Sequence, residues 1–288
     1  MTDIFTQCRR REVKKINERA VFEETPVDLI VNGKELITFL CTPQFLDELA
    51  VGYLYSHGLI SGLDNIQSCR VSGDLRKIFV SLKEVPPEQY ELAHFLSIAY
   101  GNGSLYLNKL SREQKVNSNF TINQSKIQDL CRQMESAAVL YRKTGGVHCA
   151  ALANESKLVA WREDIGRHNS IDKVIGRAIL TGVDLSRHFI ITTGRIASDM
   201  VLKTVVGRTP LMVSRSIPSN LAVEIADKLG VTLVGRAFGP DPIVYTYPWR
   251  VVARKQEKVI YKNLLFSIHN ISVDKLPVSN KPDNQRLV

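Results

Sequence analysis

Three short runs in the second half of this chain are apolar on both faces, and helical patterns separate them. His188–Thr193 precedes a helical pattern over Ser198–Val206. Pro210–Ser214 precedes another over Ser219–Leu229, and Val231–Gly235 closes the series. Stretches such as Phe189-Ile190-Ile191 and Val231-Thr232-Leu233-Val234 offer no polar side to water, so the strands they form must be covered above and below. Strands that alternate with helices and are buried on both faces imply an α/β fold built on a mainly parallel sheet. Just upstream, Val147–Ala153 and Lys157–Trp161 pattern as strands around Asn154-Glu155-Ser156. A helix is predicted over Ser170–Leu180, with Ile171, Val174, Ile175, Ala178 and Ile179 on one face.

The first half has a different rhythm. Val27–Val31 and Glu35–Leu40 flank Asn32-Gly33, a pair suited to the left-handed conformations of a type I′ hairpin turn. Thr42 is placed to cap a following helix, with Pro43 at its first position and Phe45, Leu46, Leu49, Ala50, Tyr53 and Leu54 along its apolar face. Lys77–Lys83 patterns as a further strand. Tyr100–Asn123, with Gly101, Asn102, Gly103 and Asn108, reads as a mobile loop. From Gln124 a helical spacing of Ile127, Leu130, Cys131 and Met134 resumes. The expected organisation is a basic tail over 1–20, a smaller α+β domain over 21–123 ending in the loop, an α/β/α core over 124–249, and a basic, partly disordered extension over 250–288.

Charge narrows the choice of partners. Residues 1–20 hold six Lys/Arg against three Asp/Glu, and residues 250–288 hold eight against three. Only about +1 of the net +9 therefore falls on the body. A nucleic-acid-binding domain carries its basic residues on a folded face, so no nucleic-acid partner is expected. No apolar run approaches the ~20 residues of a membrane-spanning helix, and the N-terminus lacks the apolar centre of a secretory signal. The expected location is the cytoplasm. There thiols stay reduced, and Cys8, Cys41, Cys69, Cys131 and Cys149 lie too far apart to form a CxxC pair or a zinc set. No metal and no zinc are expected.

The polar residues of the second half gather where ligands sit in such folds, beyond the C-terminal ends of parallel strands. His188–Thr193 leads into Gly194-Arg195-Ile196-Ala197-Ser198, where Ser198 is placed to cap the next helix and Arg195 to grip a phosphate. Pro210–Ser214 leads into Arg215-Ser216-Ile217-Pro218-Ser219. Arg162-Glu163-Asp164-Ile165-Gly166-Arg167-His168-Asn169-Ser170 packs polar groups around one glycine, and His168 is the residue there able to exchange a proton near neutral pH. Thr144-Gly145-Gly146-Val147-His148-Cys149 opens the first strand. Neighbouring strand residues face opposite ways, so His148 on the ligand side sets Cys149 in the core. Cys149 is nonetheless the best placed of the five thiols for any nucleophilic role. Each such feature alone also reads as ordinary helix capping.

Taken in order, the motifs resemble those of the FdhD family of formate dehydrogenase accessory proteins. They are Thr144-Gly145-Gly146-x-His148; Arg162-Glu163-Asp164-x-Gly166-Arg167-His168-Asn169 with Asp172-Lys173; Gly194-Arg195-x-x-Ser198 with Met200-Val201-x-Lys203; and Ser216-x-Pro218-Ser219-x-Leu221-Ala222. Val31-Asn32-Gly33, Cys41-Thr42-Pro43 and Glu48-Leu49-Ala50-x-Gly52-Tyr53-Leu54 complete the set. The resemblance covers about residues 25–247. It implies a three-layer α/β/α core like that of cytidine deaminases, without their PCxxC and HxE zinc signatures. It further implies a homodimer that supplies sulfur to molybdenum bis(molybdopterin guanine dinucleotide), destined for formate dehydrogenase or a related molybdenum enzyme.

By the same resemblance, His148, Asp164, Arg167, His168, Gly194, Arg195, Ser198, Lys203 and Ser216 bind the cofactor, or a guanine nucleotide. Arg236-Ala237-Phe238-Gly239-Pro240-Asp241 forms a further cofactor-binding segment. Family members take sulfur from a cysteine desulfurase on a CxxC loop, which here corresponds to Gly103-Ser104-Leu105-Tyr106. No cysteine lies between Cys69 and Cys131, and only a thiol forms a persulfide, so that route is closed in this chain. Two forms of the maturation role follow: a sulfurtransferase using another thiol, or a cofactor-binding chaperone without sulfur transfer. A small-nucleotide-binding regulatory module that serves another partner is the alternative from a different functional class.

Overall fold

A computed structural model describes residues 15–16, 19–83, 115–253 and 260–261 of the chain. The N-terminal unit opens with the hairpin β1 (Thr25–Val31) and β2 (Lys34–Cys41). Its turn places Asn32 at φ 48° and Gly33 at φ 81°, the two left-handed residues a type I′ turn requires. Helix α1 (Leu46–Ser56) and strands β3 (Ile66–Val71) and β4 (Lys77–Leu82) follow. The four strands form one sheet in the order β2-β1-β4-β3, in which β1 and β4 run parallel. Alternate residues Val27, Leu29 and Val31 of β1 pack with Leu46, Leu49, Ala50 and Tyr53 of α1 in a single core. Helix α1 starts at Leu46 rather than beside Thr42. Phe45 precedes it in a left-handed conformation without a side-chain cap, and the Thr42 N–H is bound elsewhere.

The second unit contains β5 (Ile122–Asn123), α2 (Gln124–Ala137), α3 (Val139–Thr144), β6 (His148–Ala153), β7 (Leu158–Asp164) and α4 (Arg167–Leu180). It continues with β8 (Phe189–Thr192), α5 (Ser198–Val206), β9 (Leu211–Ser214), α6 (Asn220–Leu229) and β10 (Thr232–Gly235). Short strands β11 (Ile243–Val244), β12 (Val251–Val252) and β13 (Ile260–Tyr261) end it. A seven-stranded sheet runs β13-β11-β10-β9-β8-β6-β7. Its centre, β8-β9-β10, is parallel, as the apolar runs require. Strands β6 and β7 join one side antiparallel, and β11 joins the other.

The pleat divides this sheet's side chains between two cores. Ala150, Leu152, Ile190, Met212 and Leu233 meet α4, α5 and α6 on one face. Cys149, Ala151, Ile191, Val213 and Val234 meet Ile127, Leu130, Cys131 and Met134 of α2 on the other. The result is three layers, α/β/α.

Two boundaries differ from the sequence expectation. Residues 115–123 pack with the second unit: Val116 enters its core, and β5 pairs with β12. The expected loop otherwise falls outside the described residues, as do most of the N-terminal tail, of which Lys15–Ile16 pairs antiparallel with Arg19–Ala20, and most of the C-terminal extension. Arg250, expected to begin that extension, is buried, and its guanidinium donates to the carbonyls of Pro210, Gly230 and Ser118.

The two units meet along α1 and α4. A Cβ on Gly52 would stand 1.8 Å from the backbone oxygen of Asp172, and one on Gly176 would stand 1.8 Å from that of Glu48. Only glycine lets the two backbones touch in this way. Beside the crossing, Arg162 grips Glu48 with Nε and a terminal nitrogen at 2.5 and 2.6 Å. Lys203 grips Asp172 at 2.7 and 2.8 Å, and the Ser56 hydroxyl donates to the same carboxylate at 3.0 Å.

Candidate functional site

The three parallel strands end level with one another, and their following loops are laced together. Past β8, the Gly194 carbonyl accepts from the Ser214 hydroxyl at 2.6 Å. Past β9, the Arg215 N–H donates to the Thr192 carbonyl, and the Ser216 N–H donates to Ser214 Oγ. Past β10, Arg236 N–H donates to Ser216 O, and Ala237 N–H to Ser214 O. Ser214 is fully buried at the centre of this lattice. It therefore holds three loops in register where they present Arg195, Arg215 and Arg236, all exposed.

The first turn of α4 comes in from the side. Gly194 lets it approach, since a Cβ there would lie 3.0 Å from Arg167 Cβ. His148, first in β6, reaches Thr193 Oγ1 at 3.4 Å. Its imidazole pKa lies below the ordinary value because the ring is partly buried and because Arg167, His168 and Arg195 stand within electrostatic reach. His168 Nε2 lies 2.5 Å from Asp199 Oδ2. Burial works to raise the Asp199 carboxyl, but the adjacent His168 outweighs it and holds the group below its usual range.

Cations dominate what is left. Arg215 is paired with Glu135 at 2.5 Å and lies over the rings of Tyr141 and Phe238. Arg195 and Arg236 have no side-chain hydrogen bond or ion pair among the described residues. Arg167 Nε is buried without a hydrogen-bond partner. Guanidinium groups without counter-ions, set at the C-terminal ends of parallel strands, make a site for an anion. A separate cavity of about 580 Å³ lies at the opposite end of the sheet, among Tyr55, Val183, Leu185, Gly207 and Arg208.

A family model described as FdhD/NarQ matches residues 22–252. The chain belongs to the FdhD/NarQ family. It is 32% identical over 246 residues to the sulfur carrier protein FdhD of Bacillus subtilis, covering 83% of this chain and 93% of that one. It is 31% identical over 258 residues to the protein of the same name from Geobacillus kaustophilus, covering 86% and 98%. A crystal structure of a protein assigned as a formate dehydrogenase accessory protein, from Desulfotalea psychrophila, superposes with a TM-score of 0.67. The two share 28% identity over 81% of this chain and 91% of that one.

Within this FdhD/NarQ fold the residues singled out from sequence divide into three groups. His148, Arg167, His168, Gly194 and Arg195 come together at one end of the sheet. Ser216 and the segment Arg236-Ala237-Phe238-Gly239 join them through the loop lattice. Ala237 is buried, and the Gly239 carbonyl accepts from Gln128 at 2.9 Å, while Pro240 and Asp241 are exposed beyond it. Asp164 and Lys203 are instead buried in ion pairs. Asp164 is fully buried against Lys173, and Lys203 is 4% exposed against Asp172. Spacing within a motif does not reveal which side of a strand or helix meets a core, and both Asp164, at the end of β7, and Lys203, in α5, turn inward.

Two helix starts also differ. Ser198 is the first residue of α5, not its cap, and Ala197 holds the cap position. Helix α4 starts at Arg167, three residues earlier than its apolar pattern indicates, because its first turn is polar. Cys149 lies at 0% exposure in the core. Asp199 was not singled out from sequence. Its one visible signal is an acid in the first turn of a helix, where the helix dipole favours negative charge. Among the described residues no cluster of three His, Cys, Asp or Glu side chains could hold a metal ion. No described helix is long and apolar enough to cross a membrane.

Proposed function

We propose that this protein holds the nucleotide end of molybdenum bis(molybdopterin guanine dinucleotide) while that cofactor is matured for formate dehydrogenase or a related molybdenum enzyme. The cofactor is cargo here. One observation carries the reading: Arg167, Arg195 and Arg236 stand at one end of the parallel strands, and among the described residues none of them has an ion-pair partner. A pyrophosphate supplies the missing charge and accepts from a guanidinium with two parallel hydrogen bonds. The names of the relatives, sulfur carrier proteins, point to the same pathway.

The described thiols favour a cofactor-holding role over persulfide carriage. Cys41, Cys69, Cys131 and Cys149 are all buried. Burial pushes the Cys41 and Cys69 thiols up to about 12 and raises those of Cys131 and Cys149 as well. A thiol in that state offers almost no nucleophilic thiolate at neutral pH.

Titration with GDP and with guanosine tests the reading. GDP should bind at least about tenfold more tightly, since one charge-assisted hydrogen bond contributes roughly 1.5–3 kcal/mol. Arg195→Ala combined with Arg236→Ala should erase the difference. Equal affinities in the unaltered protein would refute phosphate recognition. Mass spectrometry of the ligand retained after purification from a molybdenum-replete host separates the pterin conjugate from a plain nucleotide. A plain guanine nucleotide found there would point instead to the nucleotide-binding regulatory role.

A further inference from the structure

The carboxylate of Asp164 is an unusual object to find in a core. It is fully buried, as is its partner Lys173. Oδ2 accepts from Lys173 Nζ at 2.5 Å and from the Thr42 N–H at 3.2 Å. Oδ1 accepts from the Gly166 N–H at 2.8 Å and from Asn169 Nδ2 at 3.0 Å. Two further bonds close the cluster: Lys173 Nζ donates to the Thr42 carbonyl at 2.9 Å, and Asn169 Nδ2 donates to the Leu40 carbonyl at 2.9 Å. One carboxylate thus ties the end of β2 in the N-terminal unit to the turn and first helical residues that carry Arg167 and His168.

A buried ion pair is a poor way to stabilise a fold, because desolvating both charges offsets most of their attraction, and an apolar pair of similar volume does as well or better. What an apolar pair cannot do is satisfy four donors from three chain segments and so set the angle of the turn. The helix downstream is held against the same N-terminal unit by the glycine contact at Gly52 and Gly176. The start of α4 is therefore fixed on both sides by residues that touch no ligand.

We infer that Asp164, Lys173 and Asn169 are positioning residues for the anion site, and that the N-terminal unit is a working part of that site through Leu40 and Thr42. This inference rests on the anion-binding reading above. Loss of the cluster lets the first turn of α4 shift, which moves Arg167 off the phosphates. Displacements of about 1 Å can weaken such interactions by an order of magnitude or more.

Asn169→Ala is the first test, since it removes the bridge between Leu40 and Asp164 without leaving a buried charge unpaired. The double variant Asp164→Asn with Lys173→Met is the second, and removes both charges together. GDP and guanosine affinities are measured on each, beside Arg195→Ala and a thermal melt. The expected result is a loss of about tenfold in GDP affinity with guanosine affinity unchanged, in proteins that still melt cooperatively. Equal weakening of both ligands would mean general loosening and would overturn the positioning role. Unchanged GDP affinity in both variants, with Arg195→Ala impaired, would overturn it as well. If Arg195→Ala also binds GDP normally, the anion site itself is wrong, and the inference falls with it.

Discussion

Lys203 and Arg195 stand in the same sequence motif, eight residues apart, yet they have opposite fates. Arg195 lies in a loop past a strand and is exposed; Lys203 lies in the second turn of α5, and its ammonium is enclosed with the Asp172 carboxylate. Lys203→Met should leave that carboxylate buried without its cation and lower stability by about 3–5 kcal/mol. Adding Asp172→Asn should recover most of the loss, and urea denaturation of the single and double variants checks both outcomes.

His148 gives a second test at this scale. As pH falls, the unfolded chain protonates this ring near its ordinary value of 6.5, while the folded chain resists to lower pH because of burial and Arg167. Its effect on stability is nil well above 6.5. Stability then declines as pH drops through that value and levels off once the folded ring also protonates. His148→Gln should therefore make the urea midpoint less dependent on pH in the window just below 6.5, and histidine NMR of the unaltered protein should show a depressed midpoint for this ring.

Among the elements, α1 and α4 decide how the two units are joined. Their backbones meet at Gly52 and Gly176, where an added methyl group would overlap a carbonyl of the facing helix. Gly176→Ala should force the helices apart at a cost of roughly 3 kcal/mol. In a chain of this size that corresponds to a melting temperature lower by about 6–12 °C, measurable by calorimetry. Both glycines sit inside helical patterns, where local propensity alone argues against them. The hairpin β1–β2 is the opposite case. Asn32-Gly33 specifies its turn from two residues, and the structure places both at positive φ. Helix α4 lies between these cases. Its apolar spacing locates the body of the helix, but Arg167, His168 and Asn169 carry no apolar signal, so its first turn is visible only once Asp164 and Leu40 are seen to hold it.

Across the whole molecule, the described thiols are core residues. A thiol-exchange reagent added to the native protein should leave Cys41, Cys69, Cys131 and Cys149 unmodified, and denaturant should release all four. Incubation with a cysteine desulfurase and labelled cysteine should likewise leave no persulfide on them. Modification of Cys149 under native conditions, with sulfur transfer lost in Cys149→Ala, would restore the sulfurtransferase role. Local pattern was enough to determine an α/β sheet covered on both faces, because apolar runs and helical periodicity report burial residue by residue. It was also enough to set polar groups at one end of the sheet, because Gly194-Arg195 and Arg215-Ser216 each directly follow a strand. Tertiary structure alone decided which charged residues face that end and which are consumed by the core. Thr42 and Asp164 are 122 positions apart, and Glu48 and Arg162 are 114 apart. No local periodicity carries such pairings, since whether a charge is solvated or buried depends on what the fold packs against it.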